Sequence, residues 1–438
     1  MRGAGPAGHL RPVNHLFARP MPLFSSPNAP AGAPRFLAVW LLVLLASLLA
    51  GPARAQDSTL TRLIRQHQLP LVAGPQFSGA GWDKLQSSIQ QSQFVLVGEA
   101  HGTAQIPAFT AAVAQVLKPA VFVAEIDPYV AQDLTALAAQ PGLPTAYSQR
   151  YPQALCFYNW AEEFELIRTL RAQRVQVLGL DQVFIAMAGR FYALLAEQAK
   201  GKPARAYLHQ QAAKYAAQGQ AFERAGKDQF SMAEQRPSAL DSLVNITRQE
   251  GPAVRQMVQY YAASYAIYQS QIKGTGGHQE RLNLMRRNLL RYARGAQGPT
   301  GQPLPKMLFK FGANHLARGL SLASFGEFYD VGNLAQDLAE AQDQKSLHLL
   351  VMGKQGTAAS SLSPRSPKKP RAYTAAEEPS LKLFFDQTTG PAWNVVDLRP
   401  ARHALTAGKL VVGQAVQRVL LGYDYLVVIP ETTASHPY

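Results

Sequence analysis

Apolar positions in this chain fall into short runs with little period-2 alternation: Phe94–Val97, Val121–Ala124, Val175–Leu178, Met307–Phe311, Leu347–Met352 and Tyr425–Ile429. A strand covered on only one face alternates apolar with polar, whereas a strand buried on both faces reads as a continuous apolar run. The helical spacing between the runs then predicts the fold class, α/β, a mostly parallel sheet covered by helices with a large helical insertion or cap. That cap is expected over 185–294, a stretch rich in Ala, Gln, Arg and Leu with no convincing strand. Its tyrosines Tyr260, Tyr261, Tyr265 and Tyr268 recur at helical spacing and read as packing. Residues 356–379 read as a basic Pro/Ser-rich loop, centred on Ser363-Pro-Arg-Ser-Pro-Lys-Lys-Pro-Arg371, and 380–438 as C-terminal edge strands that include Asn394–Asp397. No internal repeat is present, and 56–438 is expected to be a single α/β domain.

The first 55 residues stand apart. Phe36–Ala50 is a 15-residue apolar run preceded by Arg35 and followed by Ala53-Arg-Ala55. The run is shorter than the roughly 20 residues of a spanning helix, and small residues follow it, so 1–55 reads as a leader and signal peptide cleaved after Ala55. The expectation is an exported protein, periplasmic or secreted, with no stable membrane anchor after cleavage. Residue 1 or Met21 is the start. Removing the leader takes away five arginines and no acid, which lowers the net charge from +15 to about +10. The remaining basic residues are dispersed and the densest cluster is a solvated loop, so no nucleic-acid partner is expected. A single cysteine, Cys156, leaves no internal disulfide.

In a doubly wound sheet, ligands bind outside the carboxyl ends of the strands. Here the first run ends in Gly98-Glu99-Ala-His101-Gly102, the second in Glu125-Ile-Asp127, the third in Gly179-Leu-Asp181 and the fourth in Gly312-Ala-Asn314-His315. Residues i and i+2 of an extended segment project to one side, so Glu99 and His101 face a common space and form an acid/base pair. Asp127 and Asp181 suit either a site or an N-cap, and His315 either a site or a satisfied turn held by Asn314. In the cap, Arg281, Met285 and Asn288 share a helix face, which could clamp a carbonyl or carboxylate or belong to an exposed basic helix. The chain has no Gly-x-Ser-x-Gly elbow, no His-Glu-x-x-His, no phosphate loop and no dinucleotide fingerprint, and Cys156 lies in an aromatic segment. Water activated by histidine and carboxylate is the chemistry left, with or without a metal.

In this order, Gly-Glu-Ala-His-Gly-Thr103, Glu125, Gly-Leu-Asp181, Arg281-x-x-x-Met-x-x-Asn288, Gly-Ala-Asn-His315 and the terminal strand Gly422–Pro430 resemble the erythromycin-esterase family. That family is related more loosely to the haem-uptake ChaN and TIKI protease groups. The resemblance spans about Gln93 to Pro430. It implies hydrolysis of an ester or lactone in a small-molecule substrate, with no cofactor required. His101 would be the general base, Glu99 and Glu125 would orient it or the water, and His315 would bind or polarise the substrate. Arg281 would support the cluster, with Asp181, Asn288 and Asn314 as supporting or substrate-binding residues. The esterases read Gly-Glu-x-Thr-His-Gly, one residue longer between acid and base than here. The looser relatives imply two other readings: a divalent metal on Glu99, His101, Glu125 and His315 in a hydrolase or protease, and a haem- or ligand-binding protein.

Overall fold

The computed structural model describes residues 58–438 except 228, 299–300, 324–325 and 389. The leader and its cleavage site lie outside the described residues. The main sheet has eight strands, β1 (Gln68–Leu71), β2 (Phe94–Glu99), β3 (Val121–Ala124), β4 (Gln176–Gly179), β5 (Met307–Gly312), β6 (Ser346–Gly353), β9 (Trp393–Asp397) and β10 (Tyr425–Ile429). They lie in the order β1-β9-β10-β6-β2-β5-β3-β4. The six strands from β10 to β4 are parallel, while β9 is antiparallel to both β1 and β10. The fold is therefore α/β with a mostly parallel sheet.

Every residue of β2 is buried, which accounts for its unbroken apolar reading. Its side chains nevertheless divide between two cores. Val95 and Val97 pack with the helices Gln105–Leu117 and Ala161–Ala172, whereas Phe94 and Leu96 join Phe309 and Phe311 of β5 on the face covered by His278–Gln297 and Val331–Glu340. A third apolar cluster continues that second layer beneath β10 and β6, through Leu350, Met352, Leu426 and Val428. Between β4 and β5 the described residues form five helices, Ala188–Gln198, Lys202–Arg224, Pro237–Thr247, Pro252–Lys273 and His278–Gln297. Three of them begin with proline in the first turn, where a missing N–H costs nothing. The tyrosine stripe divides. Tyr261 is fully buried in the core, and Tyr260 reaches out to bond the Asp181 carbonyl. Among the described residues no helix is long and apolar enough to cross a membrane.

Two expectations are corrected. Strands within 380–438 are not at the edge, because β1 pairs outside β9 and β10 lies between β9 and β6. Pro70 sits in β1, in keeping with proline's restriction to edge strands. The segment 356–379 is also not wholly loop: β7 (Gly356–Ala358) and β8 (Arg371–Tyr373) form an antiparallel hairpin. That hairpin and the C-terminal tail brace the loop after β2. The Gly102 carbonyl accepts from the Ala359 and Ser435 amides, each at 2.9 Å, and the Ala104 amide donates to Thr433.

Candidate active site

The central strands β2, β5 and β3 are neighbours, so Glu99, Gly312 and Glu125 emerge side by side at their carboxyl ends. His101 lies two residues beyond β2, and its Nδ1 is 2.9 Å from Glu99 Oε1. That contact fixes Nδ1 as the protonated nitrogen and leaves Nε2 for chemistry. Nε2 lies 3.3 Å from Glu125 Oε2, and the ring stacks on Phe157 at a centroid distance of 3.9 Å. A Cβ on Gly312 would come 2.8 Å from His101 Nε2, so only glycine lets the imidazole lie against β5. The His101 side chain keeps 18% of its surface exposed, which makes it reachable from solvent.

Glu125 is the hub. Its Oε2 also accepts from the Gly312 amide at 2.7 Å, while Oε1 accepts from Arg281 Nη2 at 2.7 Å and lies 3.3 Å from His315 Nε2. Arg281 is held by Asp181 through a fork, Nε to Oδ1 at 2.9 Å and Nη2 to Oδ2 at 2.5 Å. Its Nη1 has one long contact, 3.4 Å to His315 Nε2, and keeps a donor for another acceptor. His315 turns Nδ1 to Asp330 Oδ2 at 2.5 Å. Asp330, buried, caps the helix Val331–Glu340 with its other oxygen.

These contacts determine the charges. Burial disfavours the His101 imidazolium, but Glu125 and Glu99 together outweigh it and raise the ring to about 9. In His315 burial is likewise outweighed, by Asp330 and Glu125, and the ring rises to about 10. Burial works against the Glu125 carboxylate, yet His315 and His101 hold it well below the ordinary range. Glu99 is held down despite burial by Lys310 and His101. Lys310, in the middle of β5, donates at 2.6 Å to both Glu99 Oε1 and Glu163 Oε1.

The structure thus brings together Glu99, His101, Glu125, Asp181, Arg281 and His315 of the sequence-derived set, and adds Asp330, Lys310, Glu163 and Phe157. Two residues fall outside. Asn288 is buried and donates to the Leu180 carbonyl at 2.7 Å and to the Tyr260 hydroxyl at 2.8 Å, tying the cap to the loop after β4. Asn314 is exposed, and its part in the turn is its carbonyl, which accepts from Ser321 Oγ. Asp127 is an N-cap, accepting from the Tyr129, Val130 and Phe184 amides. Cys156 is buried, which pushes its thiol well above the ordinary range and away from the nucleophilic thiolate.

The residues named for a metal do not fit one. Glu125 spends both oxygens on Arg281, an amide and two imidazoles, and Glu99 is paired with Lys310, so fixed cations already supply the charge a dication would bring. Among the described residues no group of three or more His, Cys, Asp and Glu is arranged as a metal site.

No protein-family model and no curated protein matches the chain. Solved structures do. A protein from Bacillus cereus aligns at a TM-score of 0.55 and 14% identity over 87% of this chain and 99% of its own. A succinoglycan biosynthesis protein aligns at 0.54 and 14% over 88% and 99%. A variant of the erythromycin esterase EreC, in its open conformation, aligns at 0.51 and 14% over 81% and 94%. The likeness is one of fold, and it makes this chain a distant structural relative of erythromycin esterase.

Proposed function

We infer that this protein is a hydrolase that cleaves an ester or lactone with water activated by His101. The observation that carries the reading is the Glu99–His101 contact at Nδ1, which commits that nitrogen to a carboxylate at 2.9 Å, while Nε2, in a longer 3.3 Å contact with Glu125, stands at the carboxyl ends of the central strands on a ring that solvent reaches. In the reaction His101 Nε2 takes a proton from water as the oxygen attacks the carbonyl carbon. The resulting imidazolium returns the proton to the leaving alkoxide as the C–O bond breaks. The N–H of Arg281 Nη1 that lacks a close acceptor is the donor available to the oxyanion, and the His315 imidazolium beside it, paired with Asp330 and Glu125, adds positive charge. Because His101 is raised to about 9, the free base is roughly one part in a hundred at pH 7, and the rate should climb with pH.

The test is a panel of esters and lactones offered to the purified protein, with and without a chelator, beside His101→Gln. Turnover that survives the chelator and disappears in His101→Gln is expected. Loss to the chelator would move the chemistry to a metal, and an unchanged His101→Gln variant would remove the base. The leader supports export of the enzyme, which N-terminal sequencing of the secreted or periplasmic fraction checks, with residue 56 as the expected first residue.

A further inference from the structure

Behind the His101 dyad lies a charge pair that catalysis does not touch directly. Lys310 stands where β5 would otherwise carry an apolar side chain, between Phe309 and Phe311, on the face covered by the helix Ala161–Ala172. Its side chain is 3% exposed and that of Glu163, from the first turn of this helix, is 1% exposed. Lys310 Nζ lies 2.6 Å from Glu99 Oε1, the same oxygen that receives His101 Nδ1. One carboxylate oxygen therefore divides its charge between an ammonium and an imidazole. Glu163 pulls that ammonium from the other side, and its own Oε2 is buried with no hydrogen-bond partner. An orphaned buried oxygen costs on the order of 1–3 kcal/mol, which a purely structural ion pair would avoid.

We propose that Glu163 and Lys310 are positioning residues that, through Glu99, set how tightly His101 holds its proton. The proposal rests on His101 being the base. When Glu163 is ionised it draws Lys310 away from Glu99, and the Glu99 charge acts on His101 less opposed. When Glu163 is neutral, Lys310 belongs to Glu99 alone and His101 releases its proton more readily. The ionisable groups facing this chain are Glu99, Glu125, Lys310 and Glu163 around His101, and Tyr158 beside Glu163. Burial, opposed by Lys310, pushes Glu163 up to about 7, so both of its states are populated near neutrality.

The experiment follows the His101 ring by NMR against pH in the full histidine-labelled protein, assigned with His101→Gln, beside kcat/KM profiles on a hydrolysed ester. Glu163→Gln should move the His101 midpoint to lower pH and Lys310→Met should move it to higher pH. Each shift should be on the order of one pH unit, as for one unit charge removed at an effective dielectric of about 20. Opposite signs distinguish tuning from loosened packing, which has no reason to reverse with the charge removed. Coincident midpoints in the wild type and Glu163→Gln overturn the proposal, and that variant alone decides if Lys310→Met does not fold. Midpoints that shift while the rate profile stays put would leave the charge coupling intact and remove His101 as the base.

Discussion

His348, buried within the sheet, and the pair His101 and His315, largely shielded just past the carboxyl ends of β2 and β5, both lose most of their water, yet with opposite results. His348, near the start of β6, gives Nδ1 to the Leu316 carbonyl at 2.7 Å and Nε2 to the Ser346 hydroxyl at 3.0 Å. The neighbouring carboxylate, Asp424, is claimed by Arg318 and Arg402. Burial, with Arg318 beside it, pushes His348 down to about 4. At the other end of the strands each imidazole has a carboxylate on both nitrogens, and the rings rise to about 9 and about 10. The partner chosen for each ring nitrogen, and not the depth of burial, separates a structural histidine from a reactive one.

Removing each ring in turn should separate the two kinds of histidine most widely. His101→Gln should lower kcat about 10³-fold, the usual scale of a lost general base, with little change in melting temperature. His348→Asn should leave kcat near wild type and cost about 1–3 kcal/mol in denaturant unfolding, because it strands buried partners. Equal activity losses would erase the distinction. Next in size is Arg281→Met, which leaves Asp181 and Glu125 buried without their cation. It should destabilise the fold by about 3–5 kcal/mol in urea titration, and Arg281→Lys should recover part of that. Glu99→Gln keeps the shape but removes the charge at Nδ1, so kcat at pH 7 should fall on the order of 10²-fold. The rising limb of its pH profile, set by His101 losing its proton, should also move to lower pH, read from kcat/KM between pH 6 and 10.

Stability against pH is the finest of these tests. An unfolded histidine titrates near 6.5. His101 and His315, raised in the fold, contribute stability fully below that value and lose it as pH climbs through about 9 to 10. His348 is depressed, so its contribution is complete above about 6.5 and is lost as pH falls toward about 4. His348→Asn should flatten the acid limb of the melting curve and His315→Gln the alkaline limb, each by about 1–2 kcal/mol.

Most strands were legible because burial on both faces leaves an apolar run, as in Val121–Ala124 and Tyr425–Ile429. β1 escaped notice because Gln68-Leu-Pro-Leu71 is short, half-polar and interrupted by proline, which an edge tolerates. The hairpin strand Arg371–Tyr373 was hidden by the basic prolines beside it. At the site, carboxylates and histidines placed just after strands announced themselves. Asp330 and Glu163 did not, since an acid opening a helix is equally what a cap or a helix dipole asks for. Lys310 gave a signal, a lone cation inside an apolar run, but its partners lie on elements 211 and 147 residues away. Asn288 shared a helix face with Arg281 as its spacing implied, yet two turns further along, it meets the Leu180 carbonyl and the Tyr260 hydroxyl instead of the cluster.

The sheet order also has a kinetic side. β2 lies between β5 and β6, so the central seam cannot close until the chain has looped back across more than two hundred residues, as the Glu99–Lys310 contact measures. Closing so long a loop is slow, but the helices described between β4 and β5 can form from local contacts and draw its ends together first. The cap then acts as a folding aid as well as a cover. Helix-breaking glycines on its exposed faces should slow refolding in stopped-flow experiments more than equally destabilising changes in β1, which joins at the far edge of the sheet.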